Sequence, residues 1–426
     1  MEKRSNKRVV VTGMGLVSPL AASRETSWER LIAGVSGIKQ LPDDDYGNCA
    51  VRIGGTVPSC HDDQAGGLDI DTHIPLREQK RTDRFIHLAL IAAEEAVINA
   101  GLLTLSEEEK LDVATIIATG IGGVHAITRA VNSVYGEGNK KLSPFTIPSF
   151  IANLAAGQIS IKYGYKGMIG TPVSACAASI QAIGDGFKAI QEERANIALV
   201  GGSEACISPV ALGGFHAARA LSTGFNEEPA RSSRPFDSMR DGFVMSEGAG
   251  VLILEELEHA LNRGADILAE VKGYGTTSDA WHITAGPADG AGAARAMEKA
   301  LADADLFAED IDYINAHSTS TYVGDLSEIA AIRAVFKNYS PLISSTKSST
   351  GHMLGAAGAA ASIFSIMAIN RGIIPASINI EQIDASAAGL NIIRNQPRID
   401  DVSYALVNGF GFGGVNASII LAAFKQ

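Results

Sequence analysis

Cysteine is scarce in this chain, with four in 426 residues, at positions 49, 60, 176 and 206. No two have zinc-ligand spacing, so no metal site is expected, and a disulfide framework would be out of place in so long a chain. Positive charge is also in deficit: 35 Lys and Arg against 47 Asp and Glu give a net charge of -12. That disfavours nucleic-acid binding, which draws on a basic face. The first eight residues are charged and lead straight into Val9-Val10-Val11, without the apolar core and small-residue cleavage site of a secretory signal. One stretch, 353–369, is nearly free of strong polar groups, but it is rich in Gly and Ala and shorter than the roughly 20 residues that span a membrane. It reads as a buried helix, and a soluble, cytoplasmic protein with no membrane contact is expected.

What remains is an ordinary globular composition, 46% hydrophobic and 19% charged, with 45 glycines. Short β-type runs (Val9-Val10-Val11, Thr115-Ile116-Ile117, Ile197-Ala198-Leu199-Val200) alternate with longer helical patterns, such as Phe85, Leu88, Ala89, Ala92 and Ala96 on one face. This alternation predicts an α/β fold. The second half also replays the first. Val271 to Gly275 echoes Val11 to Gly15, the strand at Tyr313 echoes the one ending near Thr119, and Ile343 to Thr346 with its apolar helix echoes Val173 to Cys176 with its own. Two packed halves, 1–255 and 256–426, are expected, since no flexible linker separates them. The segments 59–80 and 222–240 read as long loops.

Three residues stand out chemically. Cys176 lies where an extended segment gives way to a helix, among Ala175, Ala177 and Ala178. The helix N-terminus there would favour the reactive thiolate, although a buried structural cysteine fits the position equally well. His317 and His352 each follow a strand and precede polar, small-residue sequence, the kind of strand end that faces ligands in α/β sheets. The run 409–414 matches GxGxxG but leaves no room for a βαβ unit, so it is read instead as a mobile loop with a bulky gate, as is 119–123.

Taken in order, Ala175-Cys176-Ala177, Asn315-Ala316-His317, Ser345-Thr346-Lys347-Ser348 with Gly351-His352, and 409–414 with Asn416 resemble the β-ketoacyl-[acyl carrier protein] synthases, specifically the type II elongation enzymes of fatty-acid synthesis. The segments 215–222 and 234–243 match as well, and the resemblance runs from about residue 8 to the C-terminus. It implies the thiolase fold, with duplicated βα halves in five αβαβα layers, and a homodimer. It implies that Cys176 carries the acyl group, that His317 and His352 assist decarboxylation of malonyl-[acyl carrier protein], that Lys347 orients the histidine site through His352, and that the N–H groups of Cys176 and Phe412 form an oxyanion hole. Substrate-binding roles follow for Ile121, Phe410, Thr319 and Thr321. Docking of an acidic acyl carrier protein follows for Arg77, Lys80, Arg81, Lys140, Lys141 and Arg219. No cofactor is implied beyond the phosphopantetheine that carries the substrates.

The chain departs from the family pattern at Ser318 (usually Gly), Ala361 (usually Glu, pairing with the lysine) and Val415 (usually Thr). Ala361 leaves Lys347 without its usual counter-ion, and a buried lysine so placed tends to lose its proton. A specialised paralogue or a non-catalytic partner subunit is the alternative reading. A thiolase would need a second cysteine after Cys206, and none is present. A nicotinamide-dependent oxidoreductase fails on the glycine contexts.

Overall fold

The structure, a computed structural model, describes residues 7–136 and 141–425. Lys140 lies outside the described residues. Eleven strands form one continuous sheet: β1 Val9–Val17, β2 Ala114–Ala118, β3 Ile169–Gly170, β4 Ile197–Glu204, β5 Gly248–Glu256, β6 Ala269–Ser278, β7 Tyr313–Asn315, β8 Leu342–Ser344, β9 Asn391–Ile392, β10 Tyr404–Gly411 and β11 Val415–Ala422. Their spatial order is β9-β8-β7-β10-β11-β6-β1-β5-β4-β2-β3. In the first half β3, β2 and β4 run parallel and β4, β5 and β1 antiparallel. The second half repeats this: β8, β7 and β10 are parallel, and β10, β11 and β6 antiparallel. The halves meet where β1 pairs with β6, from Val9 with Val271 to Val11 with Ala269.

Six helices position the site: α1 Arg84–Asn99, α2 Leu154–Tyr163, α3 Ala178–Gln191, α4 Ala291–Ala304, α5 Tyr322–Phe336 and α6 Ala357–Arg371. Helices α3 and α6 pack against each other and against strands of both halves, forming the middle layer. Helices α1 and α2 cover the outer face of the first half, and α4 and α5 that of the second. Two half-sheets with three helical layers make the five-layer arrangement. The apolar stretch expected to be a buried helix is α6, in which Ala357 through Ala368 are all buried.

The internal echo at Gly13-Gly15 and Gly273-Gly275 has a steric cause. A Cβ on Gly13 would lie 2.4 Å from the Ala96 carbonyl oxygen, and one on Gly15 2.0 Å from that of Ala92. In the repeat, Cβ atoms on Gly273 and Gly275 would meet the carbonyl oxygens of Ala300 and Ala296 at 2.3 and 2.1 Å. In each half the glycine pair lets a strand lie flush against its outer helix, which bears alanine at the contact. The run 409–411, expected to be loop, instead completes β10, because it pairs with Val415 to Ala417. Only 412–414 turns, through Gly413 and Gly414 at φ +85° and +74°.

Gly15→Ala should destabilise the protein by about 1–3 kcal/mol, the cost of overpacking a tight core. Gly213→Ala, in the helix Pro209–Ala217 with nothing within 4 Å of the added Cβ, should be neutral or slightly stabilising. Urea unfolding midpoints of the two variants check this pair.

Candidate active site

Cys176 sits in the 3-10 turn Ala175–Ala177 that opens α3. The turn is led by Ala175 at φ +50°, a conformation that costs a non-glycine residue energy and that surrounding structure must enforce. The matching turn Leu354–Ala356 opens α6 and is led by Leu354 at φ +45°. His352 lies just before this second turn, after the C-terminal end of parallel strand β8, and His317 follows the C-terminal end of β7. The sulfur and imidazoles arrive at one point because α3 and α6 lie side by side and present their opening turns to the same cleft.

His352 Nε2 is 2.9 Å from Cys176 Sγ. The rings of His317 and His352 stand edge to face with centroids 5.4 Å apart. One ligand-type atom from each of the three residues lies within 4.8 Å of the others, so the sulfur and both imidazoles can reach one bound group together. His317 is further held by Phe410, 5.7 Å away between centroids, and His352 by Phe243 at 5.4 Å. The backbone N–H groups of Cys176 and Phe412 lie on the side of the sulfur where they favour its ionised form. Ile121, Thr319, Thr321, Phe410 and Phe412 line the same cleft as Cys176, His317 and His352. Thr319 and Thr321 share a hydroxyl contact of 3.2 Å.

Electrostatics corrects one expectation. Burial pushes the Cys176 thiol up to about 12, against the opposing pull of Lys347 and of the two backbone N–H groups. The turn that opens α3 therefore does not deliver a resting thiolate, since desolvation outweighs its donors. Burial, reinforced by the charge of Lys347, holds both imidazoles well below their usual range. The resting site is thus a neutral thiol beside two neutral imidazoles.

Lys347 is buried, and burial draws it down to about 8 while the charge of Glu328 resists. Its ammonium donates to the Ala316 carbonyl at 3.2 Å, one residue before His317, so its contact is with the His317 strand end rather than with His352. At the family's glutamate position, the Ala361 carbonyl accepts from Asn315 Nδ2 at 3.2 Å. Ser318 has a purpose: its hydroxyl donates to Glu328 at 2.8 Å, joining the backbone N–H groups of His317 and Ser318 and the Asn408 amide on that carboxylate. Glu328 was not legible as a site residue, because its partners are scattered along the chain.

Among the docking candidates, Arg77, Lys80, Lys141 and Arg219 are exposed, and Arg219 lines the cleft mouth at φ +55°. Arg81 is partly covered and stacks its guanidinium 4.3 Å from the centroid of the Phe145 ring.

Two protein-family models match the chain, the β-ketoacyl synthase N-terminal domain over residues 6–260 and the C-terminal domain over 268–381. A 3-oxoacyl-[acyl-carrier-protein] synthase 2 of Rhizobium meliloti (strain 1021) is 42% identical over 420 residues, covering 98% of this chain and 99% of that protein. A mitochondrial 3-oxoacyl-[acyl-carrier-protein] synthase of Arabidopsis thaliana is 41% identical over 98% of this chain and 94% of its own. Among solved structures, a β-ketoacyl synthase from Burkholderia phymatum STM815 superposes with a TM-score of 0.90 at 34% identity, covering 98% of this chain and all of that one. A ketosynthase in complex with its type II polyketide acyl-carrier protein superposes at 0.88 and 31%, covering 99% of this chain and all of its counterpart.

Alkylation of Cys176 by iodoacetamide should be slow at neutral pH and should keep accelerating well above pH 9, the ordinary thiol range. A rate that levels off near neutrality would contradict the desolvated thiol.

Proposed function

The chain belongs to the β-ketoacyl synthase family, and we propose that Cys176, His317 and His352 carry out that family's condensation here. The protein is an acyltransferase, a 3-oxoacyl-[acyl carrier protein] synthase that lengthens an acyl chain by two carbons. The observation that carries the residue assignment is the 2.9 Å approach of His352 Nε2 to Cys176 Sγ, with His317 beside it and two backbone N–H groups aimed at the sulfur.

In the first step the sulfur attacks the acyl thioester carried by acyl carrier protein. The thiol proton leaves toward His352 as the sulfur–carbon bond forms, and it ends on the departing phosphopantetheine sulfur. The N–H groups of Cys176 and Phe412 hold the tetrahedral oxyanion. In the second step malonyl-[acyl carrier protein] loses CO2, and the electron pair moves onto its thioester oxygen as an enolate. Neutral imidazoles suit this step, because each offers an N–H to the developing charge without first giving up a proton. Acylation of the sulfur ends its contact with His352 Nε2, and the neutral ring then serves the enolate in the tautomer that carries its proton on Nε2. The enolate carbon then attacks the Cys176 thioester, the same two N–H groups hold the new oxyanion, and Cys176 leaves as the thiolate and takes up a proton from solvent.

Lys347 and Glu328 position the His317 strand end, and the cleft residues Ile121, Phe410, Thr319 and Thr321 receive the acyl chain and its pantetheine arm. Acyl carrier protein is the macromolecular partner, met by the exposed basic residues named above. We take 1–255 and 256–426 as the two halves, which the repeated strand order supports. A homodimer is favoured by the open edge of β3, beside which Ile161, Ile169 and Val173 stand exposed. A cytoplasmic setting without resident metal or cofactor accords with these residues, and 83% of the apolar window 354–371 is packed inside the fold.

Incubation with acyl-[acyl carrier protein] should add one acyl mass to the protein, and Cys176→Ala should abolish the adduct. His317→Ala should acylate at an undiminished rate and His352→Ala more slowly, since His352 receives the thiol proton. Both should release CO2 from malonyl-[acyl carrier protein] about 100-fold more slowly, the usual effect of losing one such donor. Undiminished CO2 release in both variants would remove their assigned role. Ile169→Asp should shift the sedimentation coefficient of the enzyme to that of a monomer.

A further inference from the structure

Glu204 closes β4 and is wholly buried, yet its carboxylate collects five hydrogen bonds. It accepts from the backbone N–H of Gly120 at 2.7 Å, Gly355 at 3.1 Å, Ile121 at 3.2 Å and Gly122 at 3.3 Å, and from the Thr119 hydroxyl at 3.1 Å. Four of these partners can only donate, so the cradle is built for a carboxylate. Burying one is costly without such partners. The donors come from two segments that touch the chemistry. The 119–122 loop presents Ile121 to the cleft, and the turn Leu354–Ala356 follows His352 and lines the cleft through Leu354. The two segments approach so closely that a Cβ on Gly355 would lie 2.2 Å from the Gly120 nitrogen.

The internal repeat shows what this cradle corresponds to. The turns Ala175–Ala177 and Leu354–Ala356 are counterparts, each opening a central helix behind a non-glycine residue at positive φ. Gly355 therefore stands in the second half where Cys176 stands in the first. The Cys176 N–H faces the reacting sulfur, while the Gly355 N–H is occupied by the Glu204 carboxylate. We propose that Glu204 is a resident anion in this second, non-reacting elbow, a positioning residue that fastens the Ile121 loop to the His352 turn and thereby sets which acyl chains Cys176 accepts.

The inference rests on Cys176 as the acyl carrier, and its failure is separable from failure of that reading. If Cys176→Ala still forms the adduct, the condensation reading falls. If Glu204→Gln acylates with unaltered selectivity, only this inference falls. An amide at position 204 must turn its NH2 toward at least one backbone N–H, breaking the clamp on one side. The ratio of kcat/KM for acylation by long-chain and short-chain acyl-[acyl carrier protein] should then shift about tenfold, the scale of one unsatisfied buried donor. Loss of the negative charge should also move the alkylation profile of Cys176 to lower pH, because burial raises the thiol most and the charge of Glu204 adds to it. A merely structural defect would not move that profile in a fixed direction. An unchanged chain-length ratio, or a profile that stays in place, overturns the proposal. Should Glu204→Gln fail to fold, Thr119→Val decides. It removes one of the five donors and leaves the backbone four, and it should shift the same ratio about threefold, while an unaltered ratio overturns the clamp.

Discussion

The 2.9 Å contact between the Cys176 sulfur and His352 Nε2 joins residues 176 positions apart, one from each half of the chain. Neither half holds the chemistry alone. The contact exists because α3 and α6 share the middle layer, and each begins with a tight turn forced through an unfavourable φ at its leading residue. Burial of two apolar helices against both half-sheets supplies the energy that keeps Ala175 and Leu354 in that conformation. The glycine pairs at 13, 15, 273 and 275 belong to the same frame, because they seat the outer helices flush on the strands that carry the halves together.

Burial also sets the charge state of the site. A resting thiolate would need stronger donors than the fold supplies, so the sulfur stays protonated, and the imidazoles stay neutral beside a lysine. This suits a two-step reaction. Neutral N–H groups are what an enolate oxygen requires, and the thiol proton has a nearby nitrogen to move toward when a thioester arrives. The loss of the family's glutamate at Ala361 is met in part by Glu328, whose hydrogen-bond shell Ser318 completes. Two of the three departures from the family pattern, Ser318 and Ala361, therefore bear on one cation, Lys347.

Much of this was legible in the sequence. Cys176, His317 and His352 each follow a strand and precede small or polar residues, and in a parallel sheet such ends converge, so reading them together was sound. The repeated strand and helix order was readable because packing against alanine-faced helices imposes glycine at fixed places in both halves. The thiol's protonation state was left open between two readings, because a helix N-terminus is a local feature whereas desolvation depends on the whole cleft. The 409–411 segment was misread as loop, since glycine and phenylalanine in alternation hide a strand whose partner lies across a tight turn.

The residues that sequence reasoning passed over have buried side chains whose meaning comes from distant backbone. Glu204 receives donors 84 and 151 positions away, at Gly120 and Gly355, and neither spacing is a motif. Its carboxylate and the Lys347 ammonium act on the thiol with opposite sign, the lysine lowering it and the glutamate raising it. A duplicated fold starts with two equivalent elbows, each exposing an N–H at the mouth of a central helix. If both stayed open, a thioester oxygen or a water molecule could occupy either. Filling one with a carboxylate from the chain leaves a single place for the reacting oxyanion and turns the spare elbow into an anchor for the loop that meets the acyl chain.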